Sequence, residues 1–125
     1  GAIYGRDKYV GGPTLFFENG YYYTTYVNSL GDGCYDTRIA RSKDLFTWED
    51  APADRPFLSP DYTRHTDPVN HPDVLEKNAS DAELIEADGK VTVFWNGGNQ
   101  MGVADSQEAE FTGTKRELFE LFFAK

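Results

Sequence analysis

The 125 residues amount to one domain's length of chain or less, 39% hydrophobic and 26% charged, with a high aromatic share of 15%; that is enough for a modest core and favours strands. The net charge of −9, from 21 Asp and Glu against 12 Lys and Arg, repels phosphate backbones and anionic bilayers. No apolar run approaches the roughly 20 residues of a membrane-spanning helix, so nucleic acid and membrane are set aside as partners.

The chain opens Gly1-Ala2-Ile3 with no initiator Met or signal peptide, and the expectation is a processed or cropped piece. The first strong element follows as a hairpin, from Pro13 through Glu18, over Asn19-Gly20, to Tyr21 and Tyr26. A two-residue type I′ turn needs positive φ at both central positions, which Asn and Gly tolerate best. Arg38-Ile-Ala-Arg-Ser42 is the expected third strand. Ser42 to Trp48 is a turn in which the Asp44 carboxylate accepts backbone N–H groups while Trp48 covers the turn and starts a fourth strand. The lone Cys34 forbids an internal disulfide and leaves the compartment unassigned.

Asp50 to Ser80 contains five of the six prolines and both histidines and reads as a long ordered surface loop. Asn78-Ala79-Ser80 within it fits the glycosylation triplet. A second hairpin runs from Ala82 to Trp95 over Asp88-Gly89, with Gly102-Val-Ala-Asp-Ser106 as its third, small-residue strand. Two copies of one pattern predict repeated antiparallel modules, and four antiparallel strands per repeat is the make-up of a propeller blade. Thr114 and Glu117 have capping-box spacing ahead of a dense apolar run. They predict a short terminal helix over 114–123 whose Leu118, Leu121 and Phe122 pack on the sheets.

The runs Gly11-Gly-Pro13-Thr-Leu-Phe-Phe-Glu-Asn-Gly-Tyr and Ile39-Ala-Arg-Ser-Lys-Asp-Leu-Phe-Thr-Trp48, with Asn78 to Lys90 and Gly98-Asn-Gln100, resemble consecutive parts of five-bladed propeller glycosidases. The resemblance is to glycoside hydrolase family 43 and its relatives, and extends from about Gly11 to Phe123. It implies an all-β fragment of about two four-stranded blades plus the helix. Blade one covers about 11–58, a connecting loop 59–80, blade two 81–112 and the helix 114–123. Two blades cannot close a ring, so the remaining blades are expected upstream or from other copies of the chain. The implied partner is a carbohydrate, hydrolysed by paired-carboxylate chemistry, or alternatively a glycan or protein bound without catalysis; no cofactor is implied.

In such a fold the hairpin turns share one face. The segments Asn28–Asp36, Pro60–Asp81 and Gly97–Gln100 share the other, called top here. Asp81 aligns with Gly12 when the two turns are superposed, at the top of an inner strand and just before the place held by Pro13; the resemblance puts a catalytic Asp before such a Pro in another blade. Asp81 is therefore the first candidate for binding sugar hydroxyls, tuning an acid or activating water, or equally for capping a strand start. Glu83, two residues on and on the same strand face, is a second catalytic candidate or one half of an inter-blade salt bridge. Tyr35, Asp36, His65, His71, Asn78, Asn99 and Gln100 are candidate substrate contacts. His65 and His71 with Asp67 and Asp73 match no established metal-ligand spacing, and no metal is assigned. One departure stands out: the family's acid is a Glu two residues before Pro in Glu-Gly-Pro, and Gly11 occupies that place here.

Overall fold

The computed structural model describes residues 4, 5 and 7–124; the Gly1-Ala2-Ile3 opening lies outside the described residues. Two antiparallel sheets make up the chain. The first is a meander of β1 (Gly11–Glu18), β2 (Tyr21–Gly31), β3 (Cys34–Ser42) and β4 (Trp48–Asp50); the second orders β5 (Ser80–Ala87), β6 (Lys90–Asn96) and β7 (Ser106–Thr112), and a helix α1 (Lys115–Glu120) follows.

Both hairpins close on the expected turns. Asn19 and Gly20 have φ of 52° and 92°, Asp88 and Gly89 have 53° and 76°, and Glu18 pairs with Tyr21 as Ala87 pairs with Lys90. Asp44 Oδ1 accepts from the Phe46 and Thr47 backbones at 2.8 Å each, and Trp48 Nε1 donates to the Leu45 carbonyl at 3.0 Å as β4 begins.

The offset that superposes the turns carries through the ladders: Gly11 pairs with Val27 as Ser80 pairs with Asn96, and Thr14 with Thr25 as Glu83 with Phe94. The third strand departs from expectation. It runs Ser106–Thr112, and Gly102–Asp105 is a connection leading into it. In repeat register Ser106, paired with Asn96, stands where Thr37, paired with Val27, stands in the first sheet. The small-residue run Gly102–Ser106 thus resembled β3 in composition while lying several positions short of it. The second sheet has three strands among the described residues rather than four, and α1 takes the stretch of chain that in the first repeat makes the turn and β4.

The core lies between the sheets and above the helix. Tyr23 and Ile39 from the first sheet, Ala82, Val91 and Val93 from the second, Leu118, Phe119 and Phe123 from the C-terminal segment, and Phe57 from the connecting loop form one buried cluster. Phe119 is fully buried within it, its ring 4.9 Å from Tyr23, 5.3 Å from Phe16 and 6.1 Å from Phe57; burying such a side chain is worth about 2–3 kcal/mol. Thr114 and Glu117 form the reciprocal capping box, and of the expected contacts Leu118 is buried and Phe122 packs against the core, while Leu121 does neither. Leu121 is 56% exposed, while Phe119 and Phe123 are buried. Leu118, Phe119, Phe122 and Phe123 recur at helical spacing on one face, which leaves Leu121 outward, and the last turn tightens with Leu121, Phe122 and Phe123 donating to Leu118, Phe119 and Glu120.

The 50–80 segment is more than a surface loop. Thr37 bridges to Leu58 and Tyr35 to Asn78, and Phe57, Glu76, Asn78 and Ala79 are buried. The Tyr35 backbone donates to the Lys77 carbonyl at 2.9 Å and accepts from Ala79 at 3.0 Å, and Lys77 in turn donates to Gly98 at 2.7 Å. These bonds fasten the upper loops of the two sheets together.

Candidate functional site at the top of the inner strands

Both inner strands begin with the same irregularity. A bulge interrupts the ladder between Gly11 and Thr14 and again between Ser80 and Glu83. The second residue of each bulge is left-handed, Gly12 with φ 46° and Asp81 with φ 57°. Glycine takes that conformation freely, whereas an L-residue strains to do so, Asp and Asn least. Asp81 is thus a side chain held where the first repeat has none. It is exposed, and a Cβ added to Gly12 would lie 3.4 Å from its Oδ1.

The other oxygen of Asp81 is tied down. Oδ2 accepts from Ser80 Oγ at 3.0 Å and from Asn96 Nδ2 at 3.3 Å. Ser80 Oγ itself accepts from Asn78 Nδ2 at 2.9 Å and from Gln100 Nε2 at 3.3 Å; Asn78 also donates to the Asn96 carbonyl at 2.9 Å and accepts from Gln100 at 3.0 Å. Ser80 and Asn78 are fully buried, so each of these groups must be satisfied inside the protein. The outcome is a chain of neutral amides and a hydroxyl ending on one carboxylate oxygen, while Oδ1 has no hydrogen-bond partner among the described residues. Asn78 and Ser80, the ends of the glycosylation triplet, are thus both buried in the fold.

Asn78, Asp81 and Gln100 are therefore brought together, and Tyr35 is bridged to Asn78 through the backbone. The remaining candidates lie apart from this hydrogen-bonded chain. Asp36 is buried, accepting from Asn28 at 3.1 Å and from Arg38 at 2.6 Å. Asn99 Oδ1 accepts from the Met101 and Val103 backbones and shapes its own loop. His65 pairs with Leu75 and His71 closes a turn with Asp67, both on the exposed segment. Glu83 is exposed, and because the bulge precedes it, period-two alternation does not extend from it back to Asp81. Asp32, Asp73, Lys77 and Asn99 help to line a cleft of about 220 Å³ between the top loops.

Sequence reasoning missed the donors to Asp81. Ser80 and Asn96 were identifiable as the repeat partners of Gly11 and Val27, positions where the first repeat carries no polar side chain. It also missed Glu76, a buried carboxylate that accepts from the Asp61 backbone at 2.8 Å, from Arg64 at 3.3 Å and from Gln107. Arg64 also reaches Asp105 at 2.7 Å. Burial alone raises the Asp105 pKa, but the Arg64 and Gln107 hydrogen bonds outweigh it and hold the carboxyl below the usual range. Among the described residues no three His, Cys, Asp or Glu side chains gather as metal ligands.

No protein-family profile and no curated protein matches the chain. Solved structures do. A xylan β-1,4-xylosidase from Bacillus halodurans is similar with a TM-score of 0.61 at 19% identity over 91% of the chain. An arabinanase from Bacillus subtilis gives 0.57 at 17% over 89%, and a GH43 protein from Bacillus licheniformis 0.56 at 20% over 90%. The chain spans 22%, 36% and 21% of those three proteins. Identities this low carry the fold alone, and what they establish is that the two sheets are a fragment of a β-propeller similar in fold to those enzymes.

Proposed function

We propose that this chain belongs to a carbohydrate-active propeller that hydrolyses a glycosidic bond, with Asp81 on its substrate. The observation that carries the reading is Asp81 itself: a carboxylate in a strained left-handed conformation at the top of an inner strand, with Oδ2 held by Ser80 and Asn96 and Oδ1 without a partner among the described residues. Backbone strain and a one-sided hydrogen-bond set are features that folding stability does not require, and they concentrate where a ligand is met. An ionised carboxylate is acceptor-only, so its partner is a hydroxyl of a sugar or an attacking water. The acid that protonates the leaving oxygen comes from blades outside these residues. Likeness to a xylosidase and an arabinanase puts pentose polymers first among substrates.

A second reading, a propeller that binds glycans without cleaving them, is favoured by Gly11, which offers no carboxylate where the resembled enzymes carry their acid. Assay of the full-length protein on aryl xylosides and arabinosides separates the two, with Asp81→Asn alongside. Turnover that collapses in the variant establishes the enzyme with Asp81 in its site. Turnover that survives returns Asp81 to a structural role, and sugar binding without turnover selects the second reading.

A further inference from the structure

Tyr9 precedes β1 and belongs to no strand, yet its ring lies over the top of β1 at Gly11. A side chain begun on Gly11 would start 2.9 Å from the Tyr9 hydroxyl oxygen and 3.0 Å from its Cε1. Gly11, unlike Gly12, does not have a positive φ, so the backbone would admit any residue there. What lies over the Gly11 backbone is the Tyr9 phenol, which a side chain there would have to push aside.

The segment carrying the phenol is anchored. Lys8 Nζ donates to the Tyr4 hydroxyl at 2.7 Å, to that of Tyr26 at 3.0 Å and to Asp50 at 3.1 Å, which fastens the stretch before β1 to β2 and β4. With Lys8 committed to that cluster, its neighbour Tyr9 reaches Gly11 and leans on Tyr35, ring centroids 6.2 Å apart at 51°. The Tyr9 residue stays 53% exposed. Two bare residues, Gly11 and Gly12, thus lie between a half-exposed phenol and Oδ1 of Asp81.

We propose that Tyr9 is a ligand-contacting residue, and that its ring and hydroxyl, the bare Gly11-Gly12 backbone and Asp81 Oδ1 together form a subsite for one sugar ring. The inference rests on the carbohydrate reading above and adds to it the residue that fills the place of a side chain at position 11. A sugar has a C–H face and a rim of hydroxyls. The phenol supplies a flat apolar face with a donor at its tip, Asp81 supplies an acceptor, and the glycines let the ring approach the backbone. A side chain at position 11 would displace the phenol of Tyr9 from where it now lies, so the bare Gly11 is what lets the ring rest there.

The test is calorimetric titration of the full-length protein with xylotetraose and arabinotetraose. Tyr9→Ala is expected to weaken binding about tenfold and Tyr9→Phe about two- to threefold, from the loss of a ring contact or of one hydrogen bond. Tyr9→Ala binding as tightly as the unsubstituted protein, with Asp81→Asn weakened, overturns this inference and leaves the functional reading standing. No binding or turnover by the unsubstituted protein sinks both. A thermal arm tests the geometry without ligand: Gly11→Ala should lower the melting temperature, and adding Tyr9→Ala should restore part of the loss. A Gly11→Ala variant that melts unchanged means the phenol does not lie there, and the inference falls.

Discussion

The Glu76 carboxylate and the Gly97 backbone are in direct contact: a Cβ on Gly97 would begin 2.5 Å from Glu76 Oε1, with Gln107 and Asp105 equally in the way. Position 97 must therefore be bare for the second sheet to close its polar cluster over a buried acid. Gly97→Ala should destabilise the protein by about 2 kcal/mol or more through overpacking against groups that cannot leave their partners. Glu76→Ala removes the acceptor shared by Arg64, Gln107 and the Asp61 N–H. Breaking a buried pair costs about 3–5 kcal/mol, and the partial exposure of Arg64 places this one near the lower end. Urea unfolding of both variants provides the check; a midpoint unmoved by Gly97→Ala would contradict the contact.

Asp105 makes the same cluster sensitive to acid. Its folded pKa lies below the usual carboxylate value because the Arg64 and Gln107 hydrogen bonds overcome the effect of burial. A depressed folded pKa adds stability that is present above the unfolded value, near 4, and is lost as pH falls through the folded value. The protein should lose stability progressively below about pH 4. Asp105→Asn should be less stable at neutral pH and show a shallower loss on acidification, read from melting temperatures between neutral pH and about pH 2.

Asp81 separates function from stability. In the left-handed region glycine is unstrained, so Asp81→Gly relieves about 1 kcal/mol while giving up the hydrogen bonds from Ser80 and Asn96, each worth about the same. The expected net change in stability is within about 1 kcal/mol, together with loss of sugar binding or turnover. Asp81→Val, β-branched and ill suited to positive φ, should cost about 2 kcal/mol more than the glycine variant. Denaturation midpoints measured beside activity decide this; a glycine variant as active as the unsubstituted protein removes Asp81 from the site.

Much of the fold was legible because it was local. Asn19-Gly20 and Asp88-Gly89 carry their turn geometry in their own residue types, and Trp48 and the Thr114–Glu117 box act within a few residues. What was not legible depended on distant partners. Gly102–Ser106 looked like β3 in composition, but the ladder is set by pairing to β6, which starts β7 at Ser106. Phe119 and Phe123 rather than Leu121 are buried because the helix meets the sheets on the face of Leu118, Phe119, Phe122 and Phe123, which the aromatic partners Tyr23, Phe16 and Phe57 select. At the site, superposing the repeats located Asp81 opposite Gly12, and its donor Asn96 sits across the same β5–β6 ladder from Ser80, whereas the buried Glu76 owes its role to the connecting segment folding onto β7. A polar residue in sequence does not reveal which partner will satisfy it.

The outward faces of the two sheets bear on association. Leu15 and Phe17 lie on one face of β1 opposite Thr24 and Tyr22, and they are 56% and 61% exposed; on β5, Ile85 opposite Thr92 is 57% exposed. The Phe17 ring rests on Tyr22 at 4.8 Å, so the patch on the first sheet is continuous rather than scattered. In a closed propeller such faces are covered by neighbouring blades, and uncovered they promote association. Expressed alone, this chain should self-associate with rising concentration in sedimentation velocity. The pair Leu15→Lys and Phe17→Glu should shift it to monomer, while Ile85→Lys alone should weaken association less because the patch around it is smaller and already bordered by Glu83. Placed in the full-length protein, the same double substitution should instead lower the melting temperature, since a face covered by a neighbouring blade would then hold two charges out of water. A monomeric isolated chain, with a full-length protein indifferent to the substitutions, would mean these faces are solvent-facing in the working molecule.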